Sequence, residues 1–585
     1  MSTAANRQKQ IAQAEELLGD RLGEIGFAKG LYFGQYQGAK LLPYPDLEVD
    51  AATNNKVAEL QQFCRDQINP DAIDRNAEIP QSVIDGLGRL GILGACLPTD
   101  VGGQGMSQTQ YCRLLEVLGG WCGGTALFVN AHHSIGPRAL VLFGTAEQQA
   151  RWLPPMASGE WISAFALTEP EAGSDAANVQ TRAVPTADGA GYLINGEKRW
   201  ITNGSLAQAL IVMARTPIAG SNETKITAFQ VMADMPGFEV VEARMPKMGV
   251  RGTATARLRF NNMFVPKENV LGPLGGGLRV ALTVLDFGRT TFGATCTGAA
   301  KFCCERSREH VKQRVQFDQP IANFELVKRK IARMHAGAYA MEACTYQTAL
   351  LIDSGEDDYM LETAMLKVFN TEVLWQILDD TFQLHGGMAY FNDQPFERMI
   401  RDARINTIGE GSNDVLRPFI ALVGLRDVGL QLQGILQSLS QPLRNLGRLS
   451  GFAGQRLERL FTSPDVRVRS SALQKDAAQI GRLVGKFGSH NERLLRTYQE
   501  EVLDRQYQLA RVANAAMLLY ASSCVLSRLD AALANRRLSE AQQQQELRTG
   551  RHFLRSASRT IEQNLAAAWD NDDEATTEFA DFVLR

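Results

Sequence analysis

The sequence predicts an α+β protein of several domains: helices, a compact β domain, helices again, and a further helical appendix. Three observations carry this. Apolar residues recur at helical spacing on either side of a central region, as at Val57, Leu60 and Phe63. Between Trp161 and Pro273 the texture changes to short runs rich in β-branched and aromatic residues, such as Leu210-Ile-Val-Met213 and Ile226-Thr-Ala-Phe229. The chain has 585 residues, more than one core organises, so three or four domains are expected.

In chain order, residues 1–50 read as an arm lying on the body, with Phe27-Ala-Lys-Gly-Leu-Tyr-Phe33 and the proline-punctuated Leu42-Pro-Tyr-Pro45. Residues 51–160 read as a helical domain with breaks at Gly102-Gly103 and Gly123-Gly124. Residues 161–275 form the β domain, where Ala187-Asp-Gly-Ala-Gly191 and Asn195-Gly196 are expected to be turns dividing strands. Long helices return over 276–425, and 426–585 continue them with a Gln/Arg/Leu-rich character. Within that appendix, Val512 to Leu526 is too short to span a bilayer and contains Asn514, which marks a buried helix.

Composition narrows the function classes. A net charge of −3 carries no nucleic-acid signature. Nine cysteines lie scattered without a CxxC pair, so neither zinc nor a disulfide framework is indicated and a reducing compartment fits. The N-terminus lacks the apolar core of a signal peptide, and Glu15 and Glu16 argue against a transit peptide. That favours a bacterial cytoplasmic location, or a mature mitochondrial form. His132 and His133 are adjacent and do not converge on one helix face, so packing is expected of them and no metal.

Chemistry concentrates in two places. Late in the chain, Gln383-Leu-His-Gly-Gly387 and Arg401-Asp-Ala-Arg404 lead to Ile408-Gly-Glu410-Gly-Ser-Asn-Asp414. Glu410 stands between two glycines with apolar segments on both sides. A carboxylate at the edge of an apolar pocket is costly to ionise, which suits a general base at neutral pH; an ordinary loop glutamate is the plain alternative. In the β domain, Phe165-Ala-Leu-Thr168-Glu-Pro-Glu-Ala-Gly173-Ser174-Asp175 and Trp200-Ile-Thr202-Asn203-Gly204 offer hydroxyls and glycine-flanked backbone, as a heteroaromatic cofactor needs.

These segments, with Asn195-Gly-Glu-Lys198, Met248-Gly-Val-Arg-Gly252, Val265-Pro-Lys-Glu-Asn-Val-Leu271 and Arg398-Met-Ile-Arg-Asp402, resemble the acyl-CoA dehydrogenase family. The resemblance covers residues 50–425. The arm and the appendix resemble the very-long-chain branch, which includes a relative associated with respiratory complex I assembly. The resemblance implies the acyl-CoA dehydrogenase fold: an N-terminal α-helical domain, a middle β-barrel and a C-terminal four-helix bundle, plus an extra C-terminal α-helical domain. It implies FAD, lined by Phe165, Leu167, Thr168, Trp200 and Thr202. Arg314 and Phe317 would reach FAD across a dimer interface, and Gln383, His385, Gly386 and Gly387 would cradle its pyrophosphate from the neighbouring subunit. Ser412 and Asp414 would also touch FAD. Ser174, Asp286, Arg289 and Gly411 would meet the acyl-CoA, although Asp286 and Arg289 also read as a solvated i,i+3 helix pair.

The implied reaction removes the α-proton with Glu410 while hydride leaves the β-carbon for flavin N5, giving a trans-2-enoyl-CoA, the first step of fatty-acid β-oxidation. Electrons then pass to an electron-transfer flavoprotein. Gly409 departs from the family's usual aromatic residue before the base. Ala126 and Asn130 stand where the very-long-chain branch has glycines that deepen its acyl tunnel, so a preference for medium-to-long chains is expected. The basic stretch Arg444, Arg448, Arg456, Arg459, Arg467, Arg469 and Lys475 is interleaved with Leu443, Leu446, Leu449, Leu457, Leu460 and Phe461. It suggests either peripheral membrane contact or a solvated helix face. A homodimer is implied, since the appendix occupies the face that shorter relatives use to form tetramers. Two other classes compete: a non-catalytic assembly or scaffold protein, and a relative doing nitroalkane oxidation or flavin-dependent hydroxylation. Glu410 and Arg314 have no purpose in the first, and the Glu-Gly-Ser context disfavours the second.

Overall fold

Helix α1 (Phe27–Tyr32) precedes a series of helices, four of which are started by side-chain caps. Asp50 accepts the Thr53 N–H at the head of α2 (Ala51–Gln67), and Asn69 accepts that of Ala72 at α3 (Pro70–Asn76). After α4 (Gln81–Arg89), Ser107 and Thr145 form capping boxes with Gln110 and Gln148, starting α5 (Gln108–Trp121) and α8 (Ala146–Ser158). Between them run α6 (Gly123–Asn130), a π turn over Ala131–Ile135, and α7 (Gly136–Phe143). The computed structural model describes residues 25–47, 50–218, 220, 223–439 and 463–585.

Eight strands follow: β1 (Ser163–Ala166), β2 (Arg182–Pro185), β3 (Gly191–Ile201), β4 (Ala209–Pro217), β5 (Thr224–Met232), β6 (Phe238–Glu242), β7 (Ala256–Pro266) and β8 (Val270–Leu271). They form one sheet in the order β6-β7-β3-β2-β4-β5-β8, with β1 pairing parallel to β4. The apolar run expected of a central strand is β4, buried over its first six residues. Asn195-Gly196 is not the turn its sequence suggests. Strand β3 runs through it with a register shift, because Asn195 bonds across to β7, accepting the Asn262 N–H (2.8 Å) and donating to Asn262 Oδ1 (3.1 Å).

The helical remainder comprises α9 (Gly277–Gln313), a short hairpin of β9 (Val315–Gln316) and β10 (Gln319–Pro320), α10 (Glu325–Asp353), α11 (Met360–His385), α12 (Gly387–Tyr390), α13 (Phe396–Arg404) and α14 (Asn413–Leu439). The appendix holds α15 (Gln474–Tyr498), α16 (Gln506–Ala534), α17 (Glu540–Ala567) and α18 (Asp573–Leu584). Arg444, Arg448, Arg456 and Arg459 lie outside the described residues, as do the leucines between them. Of the basic positions described, Arg467 pairs with Asp465 and Arg469 with the buried Asp530.

Contacts divide the chain into two compact units. One contains Asp46–Met334 and Asn370–Ser412, and holds the sheet and Glu410. The other gathers the described part of Met1–Pro45 with His335–Phe369 and the appendix from Asn413. Helix α16 is apolar and long enough by composition to cross a membrane, but 78% of its most apolar window is buried inside the protein.

The arm corrects expectation: α1 is interior, not laid on the body. Phe27, Leu31 and Tyr32 are at most 1% exposed, the Tyr32 hydroxyl donates to Ile420 O, and Asn491 donates to Tyr32 O. Glu362, also buried, accepts the Ala28 N–H at 2.7 Å. Burial pushes its carboxyl up to about 8, the Asp358 carboxylate adding to the rise and Lys29 opposing it. The folded protein thus keeps a proton that the unfolded chain releases. The resulting stabilisation is complete below the ordinary carboxylate pKa and is lost as pH rises through about 8. Glu362→Gln is expected to flatten melting temperature against pH between about pH 5 and about pH 9, and to raise it at the alkaline end. Parallel curves for the two proteins would remove Glu362 from this role.

Candidate active site

Glu410 follows a 3-10 turn over Ile405–Thr407 and occupies the left-handed region, with φ 56°, ahead of Gly411 at 87°. A long side chain in that conformation costs roughly 1 kcal/mol or more, strain that gathers at functional sites. The turn directs the carboxylate onto α9 at Gly288. A Cβ at Gly288 would stand 2.8 Å from Glu410 Oε2 and 3.2 Å from Oε1, so only glycine leaves the acid its seat. Gly409 has open space instead, the nearest atom to a Cβ there being Ile405 O at 3.6 Å.

One turn beyond Gly288 lies a narrow cavity of about 40 Å³. Its walls are Phe292, Thr295 and Ala299 of α9, Gly119 of α5, and Gly123, Leu127 and Asn130 of α6, with Leu374, Leu378, Met399 and Asp402 opposite. Helices α5 and α9 cross here backbone to backbone. A Cβ on Gly119 would come within 2.2 Å of Thr295 O, and one on Gly298 within 1.9 Å of Glu116 O. Asn130 lines this cavity, whereas Ala126 is buried away from its wall. Asp402 accepts the Val250 N–H at 2.5 Å, and burial pushes its carboxyl up to about 6 despite Arg398 nearby.

The two β-domain motifs are brought together. The Arg199 N–H donates to Thr168 O (3.0 Å), and Lys198 Nζ donates to Leu167 O (2.9 Å) and to Glu169 Oε1 (2.6 Å). Lys198 and Glu169 are 0% and 2% exposed. Glu169 also accepts the Gln180 and Thr181 N–H groups. Burial pushes Lys198 down to about 8, against the pull of Glu169. Burial would raise Glu169, but Lys198 and the backbone donors hold it below the usual carboxylate range. On this frame Trp200 adopts φ 60° and stays 53% exposed, with the Arg199 guanidinium 4.8 Å from its ring centroid. Phe165, Leu167, Thr168 and Thr202 beside it are partly exposed. An open aromatic face flanked by hydroxyls results.

The far end of α9 carries a second cluster. The Arg314 N–H donates to His310 O, and the hairpin presents Phe317, 87% exposed at φ 51°. His310 stacks on His385 at 4.3 Å, and the His385 ring bonds Thr381 O through Nδ1 (2.8 Å). Burial pushes His385 down to about 4. Gln383, Gly386 and Gly387 beside it are exposed, and a Cβ on either glycine would meet nothing within 4 Å. Along α9, Gly288 and His310 are about 33 Å apart. Arg314, Phe317 and the Gln383–Gly387 turn are thus one group, remote from Glu410.

Of the remaining predicted residues, Ser412 is half-buried beside Gly411, Asp414 is exposed on the first turn of α14, and Ser174 is exposed after β1. Asp286 and Arg289 do pair at i,i+3 (3.0 Å), but at 6% and 4% exposure they are buried, not the solvated pair the spacing also allowed. His132 and His133 are packing residues: His132 accepts the Ser163 N–H and contacts Met156 O, and His133 accepts the Cys96 N–H.

Family models match nearly the whole described chain in order: acyl-CoA dehydrogenase N-terminal domain (residues 54–160), middle domain (164–263) and C-terminal domain (275–425), then ACAD9/ACADV C-terminal domain (471–583). The chain belongs to the acyl-CoA dehydrogenase family. It is 36% identical to the mitochondrial very long-chain specific acyl-CoA dehydrogenase of Bos taurus, over 88% of this chain and 79% of that one. It is 33% identical to the probable acyl-CoA dehydrogenase FadE10 of Mycobacterium tuberculosis, over 100% of this chain and 92% of that one. The crystal structure of an acyl-CoA dehydrogenase from Bacillus anthracis, complexed with FAD, superposes with TM-score 0.80 at 28% identity, covering 92% of this chain and 91% of that one. The acyl-CoA dehydrogenase fold, with its additional C-terminal helical region, is therefore the fold of this chain.

Two features of this acyl-CoA dehydrogenase were not read from its sequence. Lys198 and Glu169 sit inside the quoted motifs, and their opposite charges were the available signal. Gly288 offered none, since a glycine inside a helical run gives no hint of what fills the space of its missing side chain.

Proposed function

We propose that this protein is an FAD-dependent dehydrogenase that oxidises medium-to-long-chain fatty acyl-CoA to trans-2-enoyl-CoA, with Glu410 as the base that takes the α-proton. The observation that carries the reading is the Glu410 carboxylate, held in a strained turn against Gly288, one helical turn from a narrow, mainly apolar cavity. The thioester α-carbon lies at the carboxylate and the alkyl chain follows α9 into the cavity. The backbone N–H of Glu410 polarises the thioester carbonyl, which acidifies the α-proton. Gly411, Ser174, Asp286 and Arg289 hold the acyl-CoA around it. FAD, when bound, supplies the acceptor for the hydride that leaves the β-carbon.

The residues fit that cofactor. Phe165, Leu167, Thr168, Trp200 and Thr202 offer an aromatic face with hydroxyls for the ring, and Ser412 and Asp414 follow the base in sequence. Gly386 and Gly387 leave backbone open for a pyrophosphate. As the family resemblance implies, the Arg314–Phe317 hairpin and the Gln383–Gly387 turn, about 33 Å along α9 from the Glu410 seat, serve the cofactor of a second copy, and the working unit is a homodimer. Electrons leave to an electron-transfer flavoprotein. The basic stretch from Arg444 supplies peripheral membrane contact, in a bacterial cytoplasm or, as for the bovine relative, in mitochondria.

Anaerobic titration of the purified protein with palmitoyl-CoA and octanoyl-CoA tests this. Bleaching of the flavin band is expected, and the more effective substrate ranks chain length. A protein without flavin, or one that neither acyl-CoA bleaches, would favour the non-catalytic scaffold instead.

A further inference from the structure

Asn130 is a polar residue on the wall of an otherwise largely apolar cavity, 1% exposed and immediately before the π turn over Ala131–Ile135. Such turns recur at functional sites. One end of its amide is engaged: Oδ1 lies 2.5 Å from the Thr291 hydroxyl, which is itself 3.0 Å from Ser134 Oγ and 3.0 Å from Gly288 O. The other end, Nδ2, is buried without a hydrogen-bond partner in the protein. Thr291 stands one turn from Gly288, so this amide is tied through Thr291 to the turn of α9 that seats Glu410.

An alkyl chain passing there would leave the amide unpaired, which buried polar groups tolerate poorly. Resting on the dehydrogenase reading, we infer that Asn130 selects acyl-CoA substrates carrying a hydroxyl group on the acyl chain, at the carbon that passes this amide. A hydroxyl can both donate and accept. It therefore pairs with the free end of the amide whichever way the amide is turned, while Thr291 engages the other end. The hydroxyl is a spectator in the reaction and fixes how far the chain enters.

The test is kcat/KM across a series of lauroyl-CoA derivatives with the hydroxyl moved one carbon at a time from carbon four to the chain end, beside lauroyl-CoA itself. The expected profile in the wild type has a single maximum, about tenfold above its neighbours, the worth of one buried hydrogen bond. Asn130→Leu and Asn130→Ala are expected to erase that maximum. The ratio of hydroxylated to plain substrate is read within each protein, so a general loss of folded enzyme cancels. Calorimetric binding of the best hydroxyacyl-CoA is expected to weaken by a similar factor in both variants. A flat profile in the wild type, with lauroyl-CoA bleaching the flavin normally, overturns the inference and leaves the dehydrogenase reading intact. A maximum that survives both substitutions also overturns it. Failure of every acyl-CoA, plain or hydroxylated, to bind and to bleach the flavin overturns both together.

Discussion

Glu410→Gln is expected to lower the rate of flavin bleaching by acyl-CoA at least about a thousandfold, within the range a positioned general base contributes. Glutamine keeps the length and the carbonyl oxygen of the side chain but cannot take the α-proton at neutral pH. The neighbours of the carboxylate favour a nearly silent structural change. Gly288 leaves room for either head group, and the left-handed backbone at Glu410 is set by the turn, not by the acid. The variant is therefore expected to bind acyl-CoA and still shift the flavin absorption band on mixing, without bleaching. Stopped-flow mixing under anaerobic conditions separates the two signals. Bleaching at the wild-type rate would assign the base elsewhere; loss of both signals would show that Glu410 supports the fold of the site.

The second large effect is structural. Lys198→Met leaves the Glu169 carboxylate buried without its cation, and breaking such a pair costs roughly 3–5 kcal/mol. Two backbone N–H groups still donate to Glu169, which places the expected loss toward the lower figure. A fall in melting temperature of about 2–4 °C follows. Because Lys198 also holds Leu167 O, and Arg199 holds Thr168 O, the two β-domain motifs lose their common anchor. Flavin content after purification is expected to fall with stability. Lys198→Met combined with Glu169→Leu removes both charges and should recover much of the melting temperature, since a buried pair is often replaceable by apolar residues. A double variant no more stable than the single one would mean that the backbone donors to Glu169 matter more than the ion pair.

The β domain, the helical stretches around it and the Gly-Glu-Gly turn could be read directly, because each announces itself within a dozen residues. Periodicity, turn chemistry and local motif order are short-range properties. What escaped depends on contacts between distant segments. Asn195-Gly196 carries strong turn chemistry, yet a cross-strand partner at Asn262 turned it into a bulge within a continuous strand. The arm reads as peripheral because it is short and ends in prolines, yet Tyr32 finds the Ile420 carbonyl and Asn491 across hundreds of residues. Asp286 and Arg289 have the spacing of a surface pair, and only tertiary packing decides that they are buried. The carboxylate seat was least legible, since it is defined by an absent side chain at Gly288.

The crossing of α5 and α9 has a consequence for how this cavity can evolve. Where Gly119 meets Thr295 and Gly298 meets Glu116, the helices touch through main-chain atoms, with no side chain left to trim. Mutation at that wall is therefore a one-way ratchet. A substitution at Gly119, which lines the pocket, makes it shallower or pries the helices apart; one at Gly298 pries them apart; neither makes the pocket deeper. Extra depth in this cavity must come from other positions, such as Leu127, Phe292, Thr295, Leu374 or Leu378, where there are still side-chain atoms to remove.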